Sequence, residues 1–445
     1  MKHSYQFPPE FTWGVAAASA QIEGAAWQDG KGESIWDRFS RVPGAVWGGD
    51  TLDVACDHYH RFESDADLMR DLGFKNYRLS LAWPRIVPDG IGAVNELGLD
   101  FYDRLIDAFL AREITPWVTL FHWDLPQKLE DQNGWLNRST VDAFCSYAEI
   151  VTKRLGDRVQ NWFTLNEMPC FIGLGYETGI HAPGRKENSK NVNQGYHHAL
   201  LAHGHAVSIV RRNVPNACVG LVDNPPTPIP FIETEPHIAA ARENHERQNG
   251  QRLGPVFRGA YPDWWLKKVG NDAPEVQDGD MKIIAQKGDF LGLNLYAGTF
   301  LRAGDAQNAI PFPRQFPQGD LPWINVTPQT LYWAIRFARE NFGAQTTYIT
   351  ENGSAFDDAV TPDGEVLDLD RREYLRNYLL SVHRAVDEGF DVRGYFGWSV
   401  MDNFEWAEGY KKRFGLVHVD YATQKRTPKL SAQWFSAVCR ENRVV

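Results

Sequence analysis

The sequence predicts an α/β fold, a single closed (β/α)8 barrel of the TIM type over residues 1–445, with long loops at its C-terminal face. Three observations predict it. Short apolar runs alternate with longer amphipathic stretches eight times. No break in composition divides the chain. Nearly every apolar run finishes in polar or ionisable residues, as strands do at the functional face of a barrel.

The elements follow in order. The first strand is expected over Phe11–Ala20, running into Gln21 and Glu23, and the first helix over Asp57–Leu72. The second strand, Asn76–Trp83, holds Arg78 and precedes helix Leu97–Arg112. The third, Thr115–Trp123, ends His122-Trp123-Asp124 before helix Thr140–Leu155. Asn161–Glu167 closes on Asn166-Glu167 before Gln194–Arg212, and Ala217–Asp223 closes on Asp223-Asn224 before His237–Gln248. Phe290–Tyr296 carries Asn294 and Tyr296 and precedes Pro328–Phe342, where Leu331, Ile335 and Ala338 keep helical spacing. Thr347–Glu351 runs into Asn352 and leads to Asp370–Glu388. Gly394–Met401 contains Trp398 and is followed by Asp402, Asn403, Glu405 and Trp406, with helix Ser431–Glu441 closing the chain. The strands are near-continuous apolar runs, which suits a parallel sheet covered on both faces. Two proline-rich segments, 224–236 and 302–327, fit neither pattern and are expected to rim the barrel mouth.

Composition excludes several classes of function. With 46 Lys+Arg against 57 Asp+Glu the net charge is −11, so there is no basic footprint for nucleic acid or an anionic membrane. The five cysteines are scattered without CxxC spacing, which argues against a disulfide framework and a zinc ribbon and fits a reducing, cytoplasmic compartment. Pro8, Pro9, Glu10 and Gly14 interrupt Met1–Val15, so no secretory h-region is read there, and no apolar run approaches the roughly 18–20 residues of a membrane span. Sixteen Trp, 16 Tyr and 25 Phe are more rings than packing usually requires. Flat apolar rings beside carboxylates suit a carbohydrate, which offers a CH face and a rim of hydroxyls.

Two motifs at strand ends sharpen this. Thr164-Leu165-Asn166-Glu167 and Ile349-Thr350-Glu351-Asn352-Gly353 resemble the two catalytic signatures of glycoside hydrolase family 1, the β-glucosidase family. Phe11-Thr12-Trp13-Gly14, the block from Ser19 to Gly24, the block from Tyr77 to Ile86, His122-Trp123-Asp124-Leu125-Pro126 and Asp402-Asn403-Phe404-Glu405-Trp406 are similar to further family blocks in the same order. The resemblance covers nearly the whole chain and implies a (β/α)8 barrel that hydrolyses terminal β-D-glucosides with retention, without metal or cofactor.

Retaining hydrolysis needs two carboxyls about 5–5.5 Å apart, one nucleophile and one acid/base. Glu351 takes the first role and Glu167 the second. Arg78 would favour the Glu351 anion and Tyr296 would donate to it, with Asn294 in support. The Glu351 charge would raise the Glu167 pKa, and forming the glycosyl-enzyme would lower it again. By resemblance, Asn166 meets the sugar 2-hydroxyl. Gln21, His122, Trp123, Glu405, Trp406 and Phe414 hold the glycone, Trp398 is the platform under the ring, and Cys170, Leu174 and Trp323 line the aglycone side. Met168-Pro169 and Leu295 depart from the family pattern and are expected to reshape the aglycone wall. The expected partner is a small β-glucoside or oligosaccharide, with some β-galactoside and β-fucoside cleavage and glycosyl transfer; oligomeric state is left open.

Three rivals are weighed. His58-Tyr59-His60 and His203-Gly204-His205 have HxH spacing, but both pairs fall on helices rather than at strand ends, which argues against a metal-dependent hydrolase. A non-catalytic sugar-binding barrel could dispense with a carboxylate, yet both signatures are intact. A 6-phospho-β-glucosidase is the last. Glu405 would repel the phosphate, whereas Lys411-Lys412-Arg413 before Phe414 points the other way, unless it is a solvated loop.

Overall fold

Eight parallel strands close on themselves in sequence order in the computed structural model, which describes residues 5–304 and 309–445. They are β1 (Thr12–Ala16), β2 (Asn76–Ser80), β3 (Thr115–Phe121), β4 (Asn161–Asn166), β5 (Cys218–Asp223), β6 (Phe290–Asn294), β7 (Thr346–Asn352) and β8 (Asp391–Trp398). Closure runs through five aligned pairs from Thr12 with Gly394 to Ala16 with Trp398. The connecting helices are α1 (His58–Asp71), α2 (Glu96–Leu110), α3 (Ser139–Leu155), α4 (Ser189–Asn213), α5 (Glu235–Arg258), α6 (Gln329–Phe337), α7 (Leu369–Asp387) and α8 (Leu430–Glu441).

Helix α3 illustrates why these segments fold as they do. Val141, Phe144, Tyr147, Ala148, Val151 and Leu155 form one buried stripe at three- and four-residue spacing, while Asp142 and Lys153–Arg154 suit the two ends of its dipole. Burying each large apolar side chain of that stripe contributes about 1.5–3 kcal/mol, so Phe144→Ala would cost about 3–5 kcal/mol.

Inside the barrel, the rings of Trp117, Phe163, Phe290, Tyr348 and Phe396 form one layer, with centroid separations of 5.1 to 6.4 Å. The Arg78 guanidinium caps that layer, 5.0 Å above the Phe163 ring. This cation marks the boundary between the apolar barrel floor and the polar mouth.

Strand parity alone would ruin the mouth. Phe163 and Tyr348 both point inward, and Asn166 and Glu351 each lie three residues further on, which in a regular strand is the opposite face. Both strands carry an extra residue that restores the direction. Between Phe163 and Asn166, β4 gains one residue on β5; between Ile349 and Glu351, β7 gains one residue on β6. These bulges re-aim the side chains that follow them.

Several sequence expectations ran past the true strand ends. Ser19–Ile22 and Trp83–Ile86 are single helical turns, the second started by Pro84, so β1 and β2 stop short of Ala20 and Trp83. Trp123, Glu167, Tyr296 and Met401 also lie beyond their strands. Apolar residues continue past those ends because loops at the mouth bury them. Helix α5 extends ten residues past Gln248, through buried Asn249 and Arg252, whose polarity broke the apolar period in the sequence. The segment 224–236 holds a short strand, Pro228–Pro230, paired with Thr299–Leu301. Within 302–327, residues 305–308 lie outside the described residues, as do 1–4 of the start of the chain. Among the described residues no helix is long and apolar enough to cross a membrane.

Candidate active site

A cavity of about 600 Å³ opens at the C-terminal end of the strands. Its wall includes His122, Trp123, Glu167, Cys170, Leu174, Tyr296, Trp323, Glu351, Trp398, Glu405, Trp406 and Phe414, twelve of the residues singled out from sequence. Gln21, Arg78, Asn166 and Asn294 are not on the wall; they lie just behind it, each 1% exposed or less. Asn224, Leu321 and Trp323 come from the two proline-rich segments, which do rim the mouth.

The two carboxyls are held by different partners. Arg78 donates to Glu351 Oε1 at 2.5 Å, and Tyr296 OH donates to Glu351 Oε2 at 2.6 Å. The Asn294 amide donates to Glu167 Oε1 at 2.6 Å, and the Cys170 thiol to Glu167 Oε2 at 3.1 Å. Asn294 is oriented by Thr350, whose hydroxyl donates to its carbonyl oxygen at 2.7 Å. Asn166 sits between these groups: its Oδ1 accepts from Arg78 Nη2 at 2.5 Å and from Asn294 at 3.0 Å, and its amide donates to His122 Nε2 at 3.1 Å. Thus one connected network touches both carboxyls, the arrangement that most favours fixed geometry.

The electrostatics separate the pair. Burial pushes the Glu167 carboxyl up to about 8, and the negative charge of Glu351 adds to that displacement. Burial raises Glu351 as well, but there the Arg78 charge and the Tyr296 and Arg78 hydrogen bonds oppose it. The cation and the hydroxyl beside Glu351 thus favour its ionised form, and that charge in turn favours the protonated form of Glu167. Burial and the neighbouring Glu351 and Glu167 also push Glu405 up to about 8. His122 is held well below the ordinary histidine range by burial and by Arg78, so it is neutral and its Nε2 accepts from Asn166.

Backbone geometry aims the side chains. Trp123, Glu167 and Trp406 all adopt positive φ, at 76°, 54° and 50°, a conformation that costs a non-glycine residue about 1 kcal/mol or more. All three sit on the cavity wall. Gly353 has a steric reason: a Cβ there would lie 1.9 Å from the Trp398 carbonyl oxygen, so the chain after Glu351 passes Trp398 only as glycine. After Glu167 the chain enters a wide π-helical coil, Pro169–Thr178, which delivers Cys170 and Leu174 to the wall.

The ring positions suit a sugar. Trp398 stacks on His122 at 5.9 Å, Trp406 stacks on the same imidazole at 6.0 Å, and Trp123 lies 4.4 Å from Trp406. Tyr296 meets Trp323 and Phe414 edge-on at 5.7 and 6.0 Å. Glu405 Oε2 and Gln21 Oε1 are buried acceptors without a partner, the kind of atom that a ligand hydroxyl satisfies.

Some expectations are corrected. Met168 and Leu295 are 0% and 3% exposed and absent from the cavity wall, so both are core residues and neither shapes the aglycone side. Lys412 and Arg413 are not part of a solvated loop, whereas Lys411 is exposed. The Lys411 ammonium lies 4.9 Å over the Trp47 ring, Lys412 pairs with Asp320 at 2.8 Å, and Arg413 pairs with Asp402 at 2.7 Å. The HxH histidines serve hydrogen bonds, His58 with Asp65 and His203 with Thr164. Asn224, Ile180, His181 and Glu408 line the cavity and were not among the expected site residues. Asn224, next to the end of the fifth apolar run, carried the only sequence signal among them.

The whole chain compares closely with known proteins. Residues 3–444 match the model of glycosyl hydrolase family 1. Beta-glucosidase A of Thermotoga maritima is 44% identical over 440 residues, covering 98% of each chain. The 1,4-beta-D-glucan glucohydrolase of Thermotoga neapolitana is also 44% identical over 440 residues, covering 98% of this chain and 99% of that one. The structure of the Thermotoga maritima beta-glucosidase in complex with deoxynojirimycin superposes with a TM-score of 0.93 at 43% identity, over 99% of this chain and 100% of that chain. Both signatures and the barrel that carries them thus have one explanation: the chain belongs to glycosyl hydrolase family 1.

Proposed function

We propose that this chain is a β-glucosidase that removes terminal β-D-glucose from cellobiose, short cello-oligosaccharides and aryl glucosides with retention of configuration. The observation that carries the reading is the unequal electrostatic treatment of two buried carboxyls on one hydrogen-bond network. The names of the glucosidase relatives support the same substrate class.

In this reading Glu351, ionised against Arg78 and Tyr296, attacks the anomeric carbon while Glu167 gives its proton to the departing glycosidic oxygen. The ester on Glu351 carries no charge, so the repulsion that helped push Glu167 up to about 8 disappears. Glu167 then has the lower pKa a base needs, and it takes a proton from the water that cleaves the ester. Trp398 supports the ring, Glu405 and Gln21 accept from its hydroxyls, and Asn166 meets the 2-hydroxyl. Trp323, 53% exposed, stands at the entrance as an apolar surface for the leaving sugar or aryl group. Such an open acceptor side also suits glycosyl transfer to alcohols, and cleavage of β-galactosides and β-fucosides is an expected side activity. The reading takes residues 1–445 as one catalytic domain that acts in the cytoplasm, where five free cysteines are stable.

Proton NMR of the first turnovers on an aryl β-glucoside tests this reading. β-Glucose appearing before its mutarotation to the α-anomer is the expected outcome; α-glucose as the first product would overturn the two-step assignment.

A further inference from the structure

Behind the cavity, between the end of β8 and the starts of α7 and α8, lies a closed group of six charges. Asp358, Asp368 and Asp402 face Arg371, Arg413 and Lys429, so the group is balanced. Asp402 and Lys429 are 0% exposed. A buried charge costs several kcal/mol unless fully paired, so a group of this size needs a reason to exist.

Asp402 uses all its capacity to join the two ends of one loop. Its Oδ1 accepts from Gly415 N at 3.0 Å and from Lys429 Nζ at 2.7 Å. Its Oδ2 accepts from Arg413 Nη1 at 2.7 Å, and its own N–H donates to Val417 O at 2.9 Å. The loop so closed, residues 402–415, carries Glu405, Trp406 and Phe414 on the cavity wall. Gly415 fits this clasp only as glycine, since a Cβ would stand 2.0 Å from Asp402 N. Arg413 tightens it further. Its guanidinium lies 5.0 Å over the Tyr421 ring, and the Tyr421 hydroxyl donates to Asn403 O at 3.0 Å, two residues before Glu405. Its carbonyl accepts from Arg371 Nη2 at 2.7 Å.

We propose that Arg413, acting through Asp402, is a positioning residue that sets sugar specificity: it fixes where Glu405 presents its carboxyl to the outer hydroxyls of the glucose ring. It touches no reacting atom, and no wall residue other than Phe414 is its chain neighbour. The inference rests on the proposed role of Glu405 and deepens it. Of the basic run before Phe414, Arg413 is thus a brace for the loop rather than a ligand-binding group.

The test compares kcat/KM for p-nitrophenyl β-D-glucoside with its 6-deoxy analogue, which lacks only the outermost hydroxyl. The ratio reads the Glu405 contact and is insensitive to a general loss of folded enzyme. Arg413→Met is expected to lower the ratio at least tenfold, mainly through KM of the glucoside, while turnover of the 6-deoxy substrate stays within about threefold. Arg413→Lys, which keeps a charge on Asp402, is expected to restore most of the ratio. If Arg413→Met does not fold, Arg413→Gln takes its place, with the same tenfold fall expected and an unchanged ratio overturning the clasp. A parallel Glu405→Gln variant separates the two layers of reasoning. If Glu405→Gln collapses the ratio and the Arg413 variants leave it at the wild-type value, the clasp is overturned and the Glu405 role stands. If Glu405→Gln leaves the ratio unchanged, the Glu405 role fails, and the clasp with it.

Discussion

Arg78 is the residue whose removal should most change the chemistry while leaving both carboxyls in place. Its guanidinium donates to Glu351 Oε1 at 2.5 Å, and both residues are buried, with side chains 1% and 4% exposed. With charge centres roughly 4 Å apart and an effective dielectric of about 20, the attraction is about 4 kcal/mol. Removing a cation raises a carboxyl pKa, so Arg78→Met should move the acid limb of kcat/KM upward, with Tyr296 left to oppose the shift. A second effect follows. As Glu351 becomes neutral, Glu167 loses the repulsion that raised it, and the shared proton moves to the wrong carboxyl. The loss should therefore be largest at acid pH, at most about a thousandfold, the equivalent of about 4 kcal/mol, and should recover partly as the pH rises. Arg78→Lys keeps the charge and should leave the limb much closer to its wild-type position. Because Asn166 Oδ1 and the Thr350 carbonyl also lose a donor, Arg78→Met should cost about 3–5 kcal/mol of stability, read by denaturant unfolding. A pH profile of p-nitrophenyl β-glucoside hydrolysis decides the matter: an acid limb unmoved in Arg78→Met would refute the claim that this cation keeps the nucleophile ionised.

Three further outcomes follow from the same site. Glu167→Ala should retain its first step on dinitrophenyl β-glucoside, whose leaving group needs no proton, and lose at least a hundredfold on cellobiose; equal losses on both would remove Glu167 from the acid role. The wild-type profile should be a bell whose alkaline limb falls near pH 8, where the Glu167 carboxyl ionises, and a limb far from there would contradict the assignment. Glucoside 6-phosphate should be at least a hundredfold poorer than glucoside, about 3 kcal/mol. The cavity wall has four carboxyls and no Lys or Arg to meet a phosphate. That preference should widen from pH 6 to 8 as Glu405, now raised to about 8, gains its charge, and parity of the two substrates would sink the argument.

The barrel was legible because its strands, covered on both faces, appear as apolar runs such as 115–121 and 290–294, and because Asn166-Glu167 and Glu351-Asn352 stand at strand ends. Three things were not legible. Strand ends were overrun because Trp83 and Trp123, apolar and buried, belong to the mouth rather than to the sheet. The bulges in β4 and β7 leave no trace in composition, yet without them Asn166 and Glu351 would face away from the barrel interior. Lys411, Lys412 and Arg413 look alike in sequence, but Lys411 and Lys412 meet Trp47 and Asp320 from segments far along the chain, while Arg413 meets Asp402 at the other end of its own loop. Long-range pairing of this kind is set by the closed topology, and local periodicity carries no information about it.

The assignment of roles to Glu351 and Glu167 is the centre of the account, and one measurement tests it most directly. Glu351→Ala removes a carboxyl that makes no backbone hydrogen bond through its side chain, so the barrel should stand while turnover falls by several orders of magnitude. Azide added to this variant would occupy the space left on the face opposite the leaving group, with Glu167 still able to protonate the glycosidic oxygen. Azide should restore turnover, with α-glucosyl azide as the product. A β-glucosyl azide would mean that the vacated group was the acid/base, and the roles of Glu351 and Glu167 would have to be exchanged.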